Sequence, residues 1–310
     1  MKIFDYPGLP PYWEWKGKKE RKILSFPSWI STPFPENNVV QVDIWTPERI
    51  RAGVIILHSW GENRGGYSER MAERFYEENF LVFRPHLPYH IRRTPSSHSS
   101  GSLFLTLNLE HSLTSFRQAV VDVRTLLDII SRVYPGISIG GVGLSLGAII
   151  LLTLLGVEDR VSCGVSVLGG GNLTDIVARG VATLPLMIAG FFKGLRLRHY
   201  REVKKEFQEF LKEVRVKGVD KVSPRWEWFL FDPLTYARPG KRVLFINALF
   251  DLVIPRSCVL SLWRKMGEPP IIWIPTSHFT SFLFFPFILR KTLEFLKENL
   301  PQEQVGLNRS

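Results

Sequence analysis

The sequence predicts an α/β fold, in which a wound, mostly parallel sheet is flanked by helices. Apolar runs typical of buried strands alternate with helix-like segments over the first 170 residues, and this alternation favours a parallel sheet. A length of 310 residues allows a large core, in one domain or in one domain that carries an insertion.

The first half of the chain contains most of the predicted sheet. The continuous apolar run at 53–58 is typical of a strand buried on both faces. Apolar residues spaced three and four apart predict a long helix at 109–133. The other elements predicted here are strands at 22–26, 39–45, 80–83, 137–142 and 161–168, and helices at 67–78 and after residue 147.

Residues 172–232 break this rhythm and predict a helical cap insertion that covers one edge of the sheet. The segment has an apolar half, 181–192, and a basic half with a helical apolar stripe. Eleven Lys and Arg residues stand against five Asp and Glu residues between positions 193 and 225. The alternative is a set of surface helices without a role in substrate selection.

The sheet resumes after the insertion, so the predicted core consists of residues 23–171 and 233–300. The elements predicted in its second part are strands at 242–247 and 271–274, a helix within 253–266 and a terminal helix at 287–299. Residues 1–22 are predicted to form an N-terminal arm, and residues 301–310 a loose tail.

Composition and cysteine usage exclude several classes of protein. The hydrophobic content is 45%, and the mean hydropathy of +0.02 is typical of a soluble globular protein. No secretory leader is visible, and the apolar stretches are too short or too interrupted to span a bilayer. Two cysteines without CxxC spacing indicate neither a disulfide framework nor a metal site. We therefore expect a cytoplasmic protein.

The net charge of +11 raises the question of an acidic partner. The sequence has no zinc-finger spacing, RNP-like strand or helix-turn-helix signature, so we predict no nucleic-acid partner. Basic charge in the insertion would also attract an anionic membrane surface. A solvated basic surface without a partner is the favoured alternative. The sequence does not indicate an oligomeric state.

One serine lies where a nucleophile would be expected. A β-type run ends before the sequence Gly-Leu-Ser-Leu-Gly at 143–147, and an apolar helix-like run follows. A sharp strand-to-helix turn would present the hydroxyl of Ser145 clear of its neighbours, and the glycines on either side would leave room where a Cβ would clash. The hydroxyl still needs a base to remove its proton. A purely structural glycine-rich turn is the alternative.

Asp251 and His278 follow two later predicted strands at their carboxyl ends. Because ligands of open parallel sheets bind at that edge, we expect both side chains to lie near Ser145. His278 would accept the proton of Ser145 and later pass it to the leaving group. Asp251 would fix the imidazole tautomer and stabilise the imidazolium charge.

On these residues the chain resembles the α/β-hydrolase superfamily over roughly 22–299. The resemblance rests on the segment 143–147 around Ser145, on Asp251, and on His278, which stand in the order Ser, Asp, His. It implies an α/β-hydrolase fold and a catalytic triad that needs no cofactor and no metal.

The resemblance also implies an oxyanion hole made by two backbone N–H groups. One would be that of Leu146, at the start of the helix that follows the serine. The other would be that of Trp60, in the loop after the strand at 53–58. Many members of the superfamily carry His-Gly-x-Gly in this loop, whereas this chain has His58-Ser59-Trp60-Gly61.

Several other residues compete for roles in the site. The candidates for the substrate pocket are His58, Tyr89 and Phe279. His58 is a better candidate for a brace of the oxyanion loop than for the base. His86 and His90 have i, i+4 spacing but no obvious carboxylate or cysteine companion, so we predict no metal. Asp232 is the second candidate for the acid, although Phe-Asp-Pro better fits a turn.

The function predicted from these residues is hydrolysis of a carboxylic ester with a hydrophobic acyl or alcohol part, through an acyl-Ser145 intermediate. A small-molecule ester or a lipid-like molecule would be the substrate. A serine peptidase or an acyltransferase would use the same triad. A non-catalytic lipid-binding protein of the same fold is the third alternative.

Overall fold

A computed structural model describes residues 3–18, 20–185, 188 and 197–300 of the chain. Within these residues nine strands form one sheet in the order β1-β2-β3-β5-β4-β6-β7-β8-β9. The strands are β1 (Glu14–Gly17), β2 (Arg21–Pro27), β3 (Val39–Trp45), β4 (Ala52–Leu57), β5 (Phe80–Pro85), β6 (Ile139–Leu144), β7 (Val161–Val167), β8 (Arg242–Ala248) and β9 (Ile271–Ile274). Strands β4 to β9 run parallel to one another, whereas β1, β2 and β3 add an antiparallel edge. The predicted α/β class is confirmed.

Helices follow the parallel strands in the alternation that the sequence predicts. They are α1 (Tyr67–Glu77), α2 (Leu109–Val133), α3 (Leu146–Val157), α4 (Leu173–Arg179), α5 (Leu197–Lys217), the single turn α6 (Pro233–Tyr236), α7 (Arg256–Lys265) and α8 (Phe285–Asn299). The bounds of α2 and β9 match their predictions. Both patterns are unambiguous, since α2 is long and periodic and β9 is a short apolar run between turn residues.

The core lies on both faces of the sheet, and β4 shows why. Val54 and Ile56 pack on one face with side chains of α1 and α8, whereas Ile55 and Leu57 pack on the other with α2, α3 and α7. Alternate residues of a strand point to opposite faces, so a strand covered on both sides must be apolar throughout. This confirms the prediction made from the run at 53–58.

Two strands differ from the predictions. Strand β1 lies within the segment predicted as an N-terminal arm, where it pairs with β2 in an antiparallel hairpin. Its side chains are mostly exposed, so backbone pairing forms this strand without an apolar pattern that a sequence analysis could detect. Strand β6 begins and ends two residues later than predicted and therefore runs directly up to Ser145.

Apolar side chains of the insertion contribute to the core. Phe207 and Phe210 of α5 pack against Phe229, with ring centroids 4.7 and 5.5 Å apart, and all three join the cluster beneath α2 and α3. Part of the apolar half predicted at 181–192 and the predicted tail at 301–310 lie outside the described residues. The limits of the insertion, 172–232, stay a prediction.

Asp232 ties the two ends of the predicted insertion together. Its buried carboxylate accepts hydrogen bonds from the backbone N–H groups of Asn172, at 2.9 Å, and Leu173. It also accepts one from Leu234 at 2.9 Å, and so caps the N-terminus of α6. Burial raises the pKa of Asp232 to about 6 against the effect of these donors.

Two further observations bear on the expectations from composition. Cys163 in β7 and Cys258 in α7 are free and buried, and burial raises the pKa of each thiol to about 12. In the part of the chain that the structure describes, a bilayer-spanning helix of sufficient length and apolarity is absent.

Candidate active site

Three side chains form a continuous chain of hydrogen bonds at the carboxyl edge of the sheet. The Oγ of Ser145 lies 2.9 Å from Nε2 of His278, and Nδ1 of His278 lies 2.8 Å from Oδ2 of Asp251. Because a carboxylate can only accept, the proton of the imidazole stands on Nδ1, and Nε2 accepts from the serine hydroxyl. This arrangement can draw a proton from Ser145 when its oxygen attacks an electrophile.

The backbone around Ser145 is a strained turn between β6 and α3. The φ of Ser145 is 52° and its ψ is −109°, a conformation that an L-residue adopts only when the surrounding structure enforces it. A Cβ on Gly143 would come under 3.0 Å from backbone atoms of Gly147 and Ala148. The flanking glycines are therefore required by close packing of the helix on the strand, as the sequence predicts.

Asp251 is held by the loop that follows β8. Its Oδ1 accepts hydrogen bonds from the backbone N–H groups of Val253 and Ile254, each at 2.8 Å, which leaves Oδ2 for His278. The side chain of Asp251 is buried, so the two N–H donors stabilise its negative charge where water cannot.

The loop after β4 lies directly against the start of α3. A Cβ on Gly147 would come under 3.0 Å from the carbonyl oxygens of Leu57 and His58, so only glycine allows this approach. The N–H of Ser145 already donates to the carbonyl of Val167 at 2.8 Å. The next N–H, that of Leu146, is the first of α3, where a helix has no internal acceptor for it.

His58 is a brace inside the protein. Its ring is fully buried, with Nδ1 2.9 Å from the carbonyl of Ser59 and Nε2 accepting from the N–H of Leu87 at 3.0 Å. Burial and the neighbouring His90 lower the pKa of His58 well below its usual value, so the ring is neutral. The prediction of His58 as a pocket residue is wrong, since the ring is fully buried and its Nε2 connects the β4 loop to the segment after β5.

The conformation of the loop at Ser59 also depends on the carboxylate of Glu62. Its Oε2 accepts from Oγ of Ser59 at 3.1 Å and from the N–H of Ser59 at 3.4 Å. Its Oε1 accepts from the N–H of Ser68 at 3.1 Å and from Nη2 of Arg84 at 3.4 Å. The residue that departs from the His-Gly-x-Gly pattern is thus held by a carboxylate that a buried arginine neutralises.

Arg84 binds the carboxylate that holds the loop at Ser59, and the sequence analysis did not identify it as a candidate. Its side chain is fully buried and also donates to Oδ2 of Asp43 at 2.8 Å and to Oγ of Ser68 at 2.6 Å. An arginine within the apolar run Phe80–Pro85 is the signal that could have found it, because a buried guanidinium needs carboxylate partners.

Two other predicted pocket residues have different positions. Tyr89 is buried, with its ring 5.9 Å from that of Phe34 and 5.1 Å from that of His111, so its prediction as a pocket residue is wrong. Phe279 is exposed beside the base, with its ring 5.9 Å from the ring of His278. It can contact a ligand in the site.

His86 and His90 are buried and form hydrogen bonds inside the protein. Nε2 of His86 lies 2.9 Å from Oδ2 of Asp43, so His86 has the carboxylate companion that the sequence analysis did not find. Nδ1 of His90 lies 2.8 Å from the carbonyl of Pro88. Across the described ranges, no three His, Cys, Asp or Glu side chains are grouped so that they could hold a metal ion.

Solved structures of similar architecture belong to hydrolases. An esterase from an Arctic intertidal metagenomic library matches with a TM-score of 0.56 and 14% identity, over 93% of this chain and 99% of that one. An esterase of Pyrococcus furiosus matches with a TM-score of 0.57 and 17% identity, over 96% and 99%. An acylaminoacyl peptidase of Pyrococcus horikoshii matches with a TM-score of 0.60 and 15% identity, over 95% of this chain and 43% of that one. The chain has the α/β-hydrolase fold.

Sequence comparison adds distant relatives without an assigned activity. No family model matches the chain. An uncharacterised protein of Mycobacterium tuberculosis, known from two strains, is 27% identical over 230 residues, which are 73% of this chain and 47% of that protein. The chain therefore spans about half the length of the curated relatives it matches.

The buried ionised groups around Arg84 lead to a prediction about how the stability of the fold depends on pH. Burial alone would raise the pKa of Asp43, but the hydrogen bond from His86 and the charge of Arg84 outweigh it and lower the pKa to about 2. The folded state therefore binds fewer protons than the unfolded state, and the stabilisation is present above about pH 4 and lost as the pH falls towards 2. We expect Asp43→Asn to destabilise the α/β-hydrolase fold at pH 7, and this difference to shrink by about 2 kcal/mol towards pH 2.

Urea unfolding of wild type and Asp43→Asn between pH 7 and pH 2.5 measures this difference. Glu227→Gln, at an exposed carboxylate, is the control, with an expected change within about 0.5 kcal/mol at each pH. A difference between wild type and Asp43→Asn that stays constant with pH would contradict the prediction.

Proposed function

We propose that the protein is a serine hydrolase that cleaves carboxylic esters. The observation that carries the proposal is the unbroken hydrogen-bonded chain from Asp251 through His278 to Ser145, at the edge of an α/β-hydrolase sheet. Oγ of Ser145 would attack the ester carbonyl carbon while Nε2 of His278 takes its proton. The tetrahedral intermediate would then expel the alcohol, which receives that proton from His278.

The second half-reaction would return the enzyme to its starting state. A water molecule would give a proton to Nε2 of His278 and attack the acyl carbon, and Ser145 would leave with the proton from the imidazolium. The products are the carboxylic acid and the alcohol, and neither step needs a cofactor. Asp251 would stabilise the imidazolium formed in each half-reaction, because its own charge is fixed by two N–H donors.

The oxyanion of each intermediate would be bound by backbone N–H groups of Leu146 and Trp60. The N–H of Leu146 stands at the N-terminus of α3, where the helix dipole favours negative charge. Trp60 is fixed in its loop because its indole Nε1 donates to the carbonyl of Gly101 at 2.8 Å. Glu62 holds the preceding residue, Ser59, as described above.

Exposed apolar side chains beside the triad support a substrate with a hydrophobic part. Two flank Asp251 and three follow His278, and we call these five residues the apolar rim: Phe250, Leu252, Phe279, Phe282 and Leu283. A hydrophobic acyl or alcohol group would bury this surface when it binds. The acylaminoacyl peptidase similarity keeps peptide cleavage as a second candidate, because an amide would react through the same triad.

Labelling with a fluorophosphonate tests the activated serine. We expect the wild type to be labelled and Ser145→Ala not to be. We expect Asp251→Asn and His278→Ala to lose about 10⁴-fold or more in ester hydrolysis. His278 carries the proton, and Asp251 fixes the tautomer of His278 and stabilises its imidazolium. Circular dichroism establishes that the variants are folded. A folded wild type that is not labelled would contradict the proposal and favour a binding protein.

A chain-length series of p-nitrophenyl esters tests the substrate class. The apolar rim predicts that kcat/KM rises from acetate to medium-chain acyl groups, because each buried methylene contributes up to about 0.8 kcal/mol. Phe279→Ala should flatten the series without changing acetate hydrolysis by more than a few fold. Leu107→Ala, at an exposed apolar residue outside the rim, is the matched control. A preference for amino-acid anilides over every ester would instead support a peptidase.

Glu62→Gln tests the support of the oxyanion loop. The amide keeps the size of the side chain but loses the charge that holds Ser59, so we expect kcat to fall about 10-fold or more with little change in KM. Glu69→Gln is the control, since Glu69 also faces Arg84, at 3.8 Å, but is not bonded to Ser59. Equal losses in the two variants would mean that the effect comes from the buried charges and not from the loop.

A further inference from the structure

Several of the exposed apolar residues that the structure describes lie together beside the candidate active site. In the apolar rim, Phe250, Leu252, Phe279 and Leu283 are each about two thirds exposed, at 66–67%. Single exposed apolar residues are normal on a soluble protein, but a contiguous group usually marks a binding surface. The apolar rim lies beside the candidate active site, and we expect it to bind more than the acyl chain of one substrate molecule.

Backbone hydrogen bonds bring the loops of this surface together. The N–H of Phe250 donates to the carbonyl of Thr276 at 3.0 Å, which links the loop of Asp251 to the loop of His278. The N–H of Val181 donates to the carbonyl of Leu252 at 2.9 Å. This bond brings Val181, whose side chain is exposed, next to Leu252 of the rim, and the exposed Leu184 follows three residues later in the chain. The apolar surface therefore spans three chain segments around one centre.

The charges in these segments all have one sign. In the described segments 179–185, 249–257 and 275–285, the exposed charged side chains are Arg179 and Arg256. The carboxylate of Asp251, the remaining acidic side chain there, is buried against His278.

Both arginines are held beside the apolar surface. Nη1 of Arg179 donates to Oγ of Ser257 at 3.2 Å, and the guanidinium of Arg256 lies 4.9 Å from the ring centroid of Trp273. Neither contact removes the charge, and Arg179 stands two residues before Val181.

We propose that this surface docks on an anionic lipid membrane, with the apolar rim inserted among the acyl chains and Arg179 and Arg256 at the headgroups. Apolar side chains beside exposed arginines, with no exposed carboxylate in the three described segments, match the interfacial region of such a membrane. The proposal rests on the proposed function for its purpose, because docking would present a lipid ester to Ser145. The hydrophobic substrate would then come from the membrane itself.

A second copy of this chain is the competing occupant of the surface. In a two-fold contact the same patch meets itself, so the arginines of one copy would face a surface whose exposed charges, in the three described segments, are again Arg179 and Arg256. An anionic membrane neutralises the same charges and also buries the apolar side chains. Charge complementarity therefore favours the membrane.

Vesicle co-sedimentation tests the proposal without depending on catalysis. The protein carries Ser145→Ala, so that vesicle lipids stay intact, and the vesicles contain phosphatidylcholine alone or with about one third phosphatidylglycerol. We expect binding to the anionic vesicles to be about 10-fold tighter or more. Arg179→Gln with Arg256→Gln should bring the two vesicle types within about 2-fold of each other. Phe250→Ser with Leu283→Ser should weaken binding to both.

The matched controls are Arg132→Gln and Val133→Ser, at exposed residues near the opposite edge of the sheet, and both should bind like the parent. Failure to bind anionic vesicles, or equal binding by the rim variants and the controls, would overturn the proposal. So would a dimer in light scattering that the rim variants dissociate. Fluorophosphonate labelling of the Ser145 form is measured separately, so a labelled enzyme that ignores vesicles would refute docking alone.

Discussion

The close approach of α3 to the end of β4 is the constraint on which the candidate site depends. Gly147 lets the carbonyls of Leu57 and His58 reach the first turn of the helix, where any side chain would clash. The same contact sets the distance between the N–H of Leu146 and the loop that carries Trp60. Because both proposed oxyanion donors are backbone groups, their separation depends on this packing and on the hydrogen bonds that hold the loop, including that of the Trp60 indole.

A second constraint lies beneath that loop, where Arg84 is buried with carboxylates on two sides. Removing a guanidinium from water is costly, and Asp43 and Glu62 offset the cost, with Glu69 3.8 Å away. Glu62 uses its second oxygen for Ser59, so one of the carboxylates that neutralise the arginine also orders the loop. Ser59 occupies the position at which many members of the superfamily have glycine. Because the carboxylate of Glu62 binds Ser59, the loop is held by a charged group as well as by its backbone.

Much of this architecture could be predicted because its signals are local. The helix α2 follows from periodicity, and the strand β4 follows from a continuous apolar run. Ser145, Asp251 and His278 follow from their positions after strands. The burial of His58 and Tyr89 could not be predicted, because it depends on segments that are far apart in sequence. Strand β1 left no pattern, since its backbone pairs while its side chains stay in water. The support by Arg84 was detectable only as a charge in an apolar strand.

The groups proposed to react and the surface proposed to bind the substrate lie in different kinds of structure. The atoms proposed to react are fixed by buried hydrogen bonds and by backbone packing, which tolerate little change. The surface proposed to select the substrate consists of exposed side chains in the segments that follow β8 and β9. Substitutions there can change what reaches Ser145 without moving His278 or Asp251. In the proposed function, the triad would therefore set the reaction class, whereas the segments around it would decide which molecule reacts.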